Sequence, residues 1–361
     1  MLNMAHAPEL WSKLGWTFLI LLAYRVGIHV PIPGVDTRAM AEFFAQAQGT
    51  LFGVFDMFSG GGLRNVSIFA LGVMPYISAS IIMQLLQVLS PDLKRMAKEE
   101  GAAGRKKVTQ YTRYATVLIT IVQGFALAAM LEGMTSPTGA PMVVEPGMMF
   151  RLVTIITMTA GTILIMWLGE QITAKGIGNG ISLIIFSGIV AGIPTAIMQT
   201  KNMAGDIIPY ALLPFIALFM IAVTIAIVFV ERAQRRIPVH YAKRQQGRKM
   251  YGGQSTHLPL RLNTAGVIPP IFAGSLLVFP ATVAQFSEQP WLKNISEWFS
   301  HTTVLYNVSY AALIVFFCFF YTAIIFDPKD IAENLKKQGG FVPGIRPGDK
   351  TRDYIDNVLT R

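Results

Sequence analysis

The residues best suited to chemistry are few and scattered in this chain. Its five histidines, His6, His29, His240, His257 and His301, fall at termini, helix ends or loops, and no His-Glu-x-x-His pattern joins any two. A zinc hydrolase of that type needs two imidazoles one helical turn apart with a carboxylate base beside them. No Gly-x-x-x-x-Gly-Lys-[Ser/Thr] cradle for nucleotide phosphates occurs either. The one cysteine, Cys318, sits inside an apolar stretch. A thiol there packs as a small hydrophobe, and the chain offers it no disulfide partner or thiolate metal site. Asp and Glu avoid the middles of the apolar stretches, where a proton- or ion-coupled transporter keeps its coupling groups. Arg25 is the exception; it lies late in the first stretch, within snorkelling reach of a membrane interface, and is read as an anchor. These residues predict no catalytic centre, metal or cofactor. A coupled small-solute secondary transporter stays as a weakly supported alternative.

A different kind of chemistry is encoded, steric and apolar. In FDMFSGGGLRNVSIFALGVMPYISASIIMQLLQVL, Phe55, Met57 and Phe58 make a short amphipathic piece that runs into Gly60, Gly61 and Gly62. Leu63, Arg64 and Asn65 follow, and then an uncharged stretch over 66–89, long enough to meet the roughly 20 residues a membrane helix needs. The first piece is too short and too glycine-broken to span. Irregular backbone at membrane depth survives only where protein buries it or it lines a watery cavity. The pattern therefore fits either a cavity with a segment folded into it or a surface loop before an ordinary helix. Val73 and Ile77, and likewise Ile181 and Ile185, are spaced four apart and share a helix face. Ordinary helix packing produces the same spacing, whereas an apolar constriction gates by dewetting. Gln84 falls late in its stretch and Asn263 at the start of its own, and because those helices are expected to run in opposite directions the two reach similar depth on the cytoplasmic side. They suit either a hydrogen bond across a helix seam, worth about 0.6–2 kcal/mol, or a wet interface.

Eight apolar segments must position these groups: 14–30, 66–89, 114–131, 152–169, 181–198, 209–230, 264–286 and 304–326. The chain is 53% hydrophobic and only 14% charged, against roughly 25% charge in a soluble domain. Of its 30 Lys and Arg, 22 lie in the connecting segments 91–113 and 232–261 and in the tail after Asp327. The alternate connections 132–151, 199–208 and 287–303 carry one basic residue each. The positive-inside rule then places the N-terminus, the basic segments, the link 170–180 and the C-terminus in the cytoplasm. Segment 14–30 is kept as the first helix rather than a cleaved signal, because it contains Arg25 and runs into Pro31-Ile32-Pro33-Gly34. The expected fold class is an all-α polytopic membrane bundle of about eight helices.

Several blocks in one order resemble the SecY/Sec61-alpha family of protein-conducting channels. They are YRVGIHVPIPGVD, SGGGLRNVSIFALGVMPYISASIIMQLL, GRKKVTQYTRYAT, MWLGEQITAKGIGNGIS, YAKRQQGRKMYGGQSTHLPL and IRPGDKTRDYIDNVLTR. The resemblance implies pseudo-symmetric halves, 1–200 with helices one to five and 201–361 with helices six to eight. It makes 55–64 a plug, comprising Phe55, Met57, Phe58, Gly60, Gly61, Gly62, Leu63 and Arg64. It makes Val73, Ile77, Ile181, Ile185 and Ile271 an apolar pore ring, slightly widened because Val73 replaces a frequent isoleucine. Gln84 and Asn263 become part of a lateral gate between helices two/three and seven/eight. Lys243, Arg244, Arg248 and Lys249 in 232–261, and Arg346 in 327–361, become docking residues for the SecA ATPase or the ribosome, Lys249 standing where arginine is frequent. The implied setting is the bacterial inner membrane, with SecE and SecG as partner subunits and unfolded preproteins, signal sequences and membrane lipids as further partners. The implied work is passing secretory proteins across that membrane and releasing membrane proteins into it. Family members have ten membrane helices, and this chain stops at Thr360-Arg361, where the ninth would begin. The chain is therefore expected to be C-terminally incomplete, as a fragment, a truncated product or one completed by a partner.

Overall fold

The computed structural model describes residues 8–46, 56, 59–98, 101–134, 139, 141–202, 209, 212–241, 244–246, 249–251, 255–266, 268–285, 303–325 and 327–360. Helices dominate: α1 (Pro8–Gly27), α2 (Thr37–Gln46), α3 (Met74–Leu89), α4 (Pro91–Lys98), α5 (Gly101–Gly133), α6 (Met148–Lys175), α7 (Gly180–Asn202) and α8 (Leu212–Arg232). Strands β1 (Gln234–Tyr241), β2 (Arg244–Gln246), β3 (Lys249–Tyr251) and β4 (Ser255–Arg261) follow. Then come α9 (Ile268–Gln285), α10 (Val304–Ile325), α11 (Pro328–Lys337), β5 (Gly340–Phe341) and α12 (Asp349–Thr360). Among the described residues, five helical segments are long and apolar enough to cross a membrane: α5, α6, α7, α8 and Val304–Lys337, which contains α10. The other three expected spans hold α1, α3 and α9, of 20, 16 and 18 residues. The chain divides into two compact units, Met1–Met203 with Gly274–Tyr310, and Ala204–Ala273 with Ala311–Arg361.

The second helix starts later than the apolar pattern predicts, at Met74 rather than at residue 66. Val66 and Gly72 take left-handed backbone, with φ of 41° and 54°, which an α-helix cannot accommodate. Pro75 is tolerated in the first turn, where its missing N–H has no intrahelical acceptor to satisfy. Residues 66–73 run instead as turns whose backbone groups find partners outside a helix. The amides of Ile32 and Ser67 donate to the carbonyls of Val66 and Gly62 at 2.8 and 2.9 Å, and that of Ile68 donates to Val30 at 3.0 Å. Gly161 of α6 lies directly against the Ile68 carbonyl, where any Cβ would collide. Such pairing is what permits non-helical backbone within a membrane protein.

Within the first unit, α5 and α6 pack through small residues. Gly124 lies against Ile155 and Met158, and Thr112, Thr116 and Thr120 are buried along α5 with hydroxyls bonded to carbonyls four residues back. Small residues let membrane helices approach closely. Ion pairs clamp the two ends: Arg113 to Glu170 at 2.7 Å and Arg151 to Glu132 at 2.6 Å. One core gathers Ile32, Met40, Leu63, Val66, Leu131, Met142, Phe150 and Met158, so α2 and the turns after residue 59 close over the ends of α5 and α6.

The second unit holds structure that the charged sequence conceals. Strand β1 pairs antiparallel with β4 from Gln234↔Arg261 to His240↔Ser255, and β5 joins its other edge at His240↔Phe341. Ile237 and Val239 are buried while Arg236, Pro238 and His240 are exposed, the period-two pattern of a half-buried strand. Ile237, Leu260 and Val342 form one cluster, and Val239, Leu335 and Ile355 form another. Parts of the basic segments 232–261 and 327–361 therefore join in one three-stranded sheet, β4-β1-β5, covered by α11 and α12, while β2 and β3 pair as a separate hairpin.

Candidate functional site

The glycine turn is fastened at several points. Within it, the amides of Gly61 and Gly62 donate to Asp56 O at 2.8 Å and Ser59 O at 3.3 Å. The Arg64 amide donates to Asp56 Oδ1 at 2.7 Å and the Leu63 amide to Ser59 Oγ at 3.1 Å. From α1, Tyr24 Oη donates to Ser59 O at 2.9 Å and Arg25 Nη1 to Gly60 O at 2.8 Å. Asn65 Nδ2 returns a bond to Ile28 O at 3.3 Å. The Tyr24 and Phe69 rings stack with centroids 5.7 Å apart. Leu63 is buried and Arg64 exposed. Burial pushes the Asp56 carboxyl above its ordinary value, while the amides of Arg64 and Leu63 and the Arg64 charge pull it back. Phe55, Met57 and Phe58 lie outside the described residues.

Gly60 carries the contact that gives the turn its setting. Its φ is +68°, and a Cβ there would stand 2.8 Å from Gly188 Cα on α7. Helix α7 begins where Asn179 Oδ1 accepts from the amides of Ile181 and Ser182 at 3.1 and 3.4 Å, an N-cap of the usual side-chain type. Ile181, Ile185 and Gly188 follow at i, i+4 and i+7 and so share a face of α7. Ile185 is buried and Ile181 partly buried. Val73 occupies the N-cap position of α3, and the amide of Ile77, one turn on, donates to its carbonyl at 3.0 Å. Both side chains are buried. Ile271 sits partly buried on α9, in the other unit.

Each of the two seam candidates is bonded within its own unit. Gln84 Nε2 reaches Ser80 Oγ at 3.5 Å on α3. Asn263 Nδ2 donates to Glu231 Oε1 at 2.7 Å, and its Oδ1 accepts from the Gly266 amide at 3.0 Å, so it ties the end of α8 to the approach to α9. Arg244 and Lys249 belong to the β2–β3 hairpin, and Lys243 and Arg248 lie outside the described residues. Arg346 is exposed in the turn between β5 and α12, where its carbonyl accepts from Thr351 Oγ1 at 3.0 Å. Arg25, read as an anchor, turns its guanidinium to the glycine turn, where Nη1 donates to Gly60 O. Its oddity, a cation late in an apolar span, was the available signal; Tyr24 had none.

A family model for SecY matches residues 67–361. The chain belongs to the SecY family. The protein translocase subunit SecY of Escherichia coli strain K12 is 51% identical over 359 residues, covering 98% of this chain and 80% of that protein. Alignment over that share of the chain takes in α1 and the glycine turn, which precede the family-model match. Two solved structures share the fold. One, described as the structure of a protein conducting channel, gives a TM-score of 0.67 at 17% identity, over 97% of this chain and 82% of its own. The other gives 0.59 at 19% identity, over 97% and 81%, and concerns a plug domain of SecY said to stabilize the closed state of the translocation channel and maintain a membrane seal. As a SecY-family member with this set of apolar helices, the chain is a multi-pass membrane protein.

Proposed function

We propose that this chain is the channel-forming subunit of a protein translocase, a conduit rather than an enzyme. The observation that carries the reading is the seat of Gly60 against Gly188, on the face of α7 that bears Ile181 and Ile185. With the N-terminus cytoplasmic, α7 runs outward. The glycine turn then lies about 4.5 Å beyond Ile185 along the helix axis, three residues on at the α-helical rise. That is where a plug beneath an apolar ring belongs. Val73, Ile77, Ile181, Ile185 and Ile271 supply the ring. Aliphatic side chains exclude water and ions while closed, and they yield to any polypeptide because they read no sequence. The plug 55–64 adds a second barrier.

Helices one to five and six to eight act as the two halves, with Gln84 and Asn263 at the seam through which an apolar segment leaves into lipid. In the segments 232–261 and 327–361, Lys243, Arg244, Arg248, Lys249 and Arg346 are the docking residues for a cytoplasmic motor or a ribosome, where phosphates or acidic surface would pair with them. SecA or translation supplies the energy, and SecE and SecG are the partner subunits in the inner membrane. The deciding experiment is photo-crosslinking of a stalled, signal-bearing nascent chain to probes at Ile77, Ile185 and Ile271, with the partner subunits present. Adducts at all three are expected. Their absence, in complexes that still capture the nascent chain, would refute the ring.

A further inference from the structure

We infer that Tyr24 and Arg25 form a latch through which helix α1 holds the plug shut; the inference rests on reading 55–64 as the plug. Tyr24 and Arg25 in the last turns of α1, and Ile28 just past its end, meet the turn at Ser59, Gly60 and Asn65 through bonds of 2.9, 2.8 and 3.3 Å. All three involve backbone carbonyls, on the turn for the first two and on Ile28, just past α1, for the third. The two bonds donated from α1 therefore read the path of the turn, and the Asn65 side chain makes the third. Because the three points sit within 24–28, at and just beyond the end of α1, a small shift of that end breaks them together. Among the described residues the Arg25 guanidinium meets a carbonyl and no carboxylate. A charge-assisted bond of this kind is stronger than a neutral one, yet its release strands no buried counter-charge. Tyr24 is packed on both sides of its role: its ring stacks on Phe69 and its hydroxyl lies 3.3 Å from the position a Gly60 Cβ would take. Gly188 Cα of α7 stands 2.8 Å from that same position. The turn is thus packed against both α1 and α7, and α1 is the partner that can let go by breaking hydrogen bonds alone.

Hydrogen exchange of amides 61–67 in the channel complex tests this without needing transport. Tyr24→Phe, which keeps the ring stack, is expected to speed exchange there about fivefold, and Arg25→Met about tenfold or more. Arg25→Lys, which retains a charged donor, is expected to recover most of the protection, and amides of α5 and α6 are expected to hold in every variant. In sealed vesicles the same variants should raise resting ion leak in the same order. Unchanged exchange in both Tyr24→Phe and Arg25→Met overturns the latch, as does loss of protection spread evenly through α5 and α6. Deleting residues 59–63 separates the two ideas. A tight membrane after that deletion sinks the plug reading, and a leaky deletion beside tight latch variants sinks the latch alone.

Discussion

At Gly60, conformation and space are both exhausted. The +68° φ disfavours any L side chain, and Gly188 Cα stands 2.8 Å from where its Cβ would be. Gly60→Ala should therefore destabilise the seated turn by about 1–3 kcal/mol, seen as a rise in resting ion leak across vesicles; unchanged leak would mean the turn is not the seal. Asp56 makes the turn pH-sensitive. Its carboxyl titrates above its ordinary value because burial penalises the charge. A group raised on folding stabilises the packed state below its unfolded pKa, and that stability is lost as pH rises through the folded value. The turn should accordingly tighten as pH falls from neutrality through the raised Asp56 pKa. Asp56→Asn keeps an acceptor for the Arg64 amide and should flatten that dependence, which amide exchange measured across the range will report.

Elements, not single residues, position the residues of the proposed ring. Helix α7 starts at a cap made by Asn179, and the amide of Gly180 donates to Thr173 Oγ1 at 2.8 Å. Asn179→Ala is expected to cost about 1 kcal/mol, read as faster exchange over 180–184 with little change in α5. The sheet-and-helix body depends on a thin core. Ile355 is fully buried between the sheet and α11, so Ile355→Ala should cost about 2–5 kcal/mol. Limited proteolysis should then cut within 328–360 while the first unit stays intact. The strands of this body were hard to see in the sequence because only Ile237 and Val239 mark the alternation of β1, inside a run of arginines. The partner strand β4 adds Leu258 and Leu260, and its pairing is non-local.

For the whole molecule, net charge of +10 is concentrated on connections that the positive-inside rule assigns to one side. If those connections dock a motor or ribosome, binding should weaken with salt in proportion to the phosphates or carboxylates paired. Arg346→Glu should reduce affinity and lower the slope of log K against log salt by about one, measured by titration of the reconstituted channel. Equal slopes before and after the change would assign Arg346 to the fold of its turn and not to docking.

Composition, span length and charge placement determined that this is a polytopic helical membrane protein, because bilayer thickness and the cost of buried charge act on every residue independently of its neighbours in space. The glycine run was legible as a break for the same local reason. Tertiary structure decided what surrounds that break. A late start for α3, the grip of Tyr24 and Arg25 on two carbonyls, the seat at Gly188 and the sheet beneath α11 and α12 all join residues far apart in the chain. Apolar residues four apart look the same whether they line a pore or pack a core. The glycine turn against one face of α7 is the contact from which the pore reading is proposed.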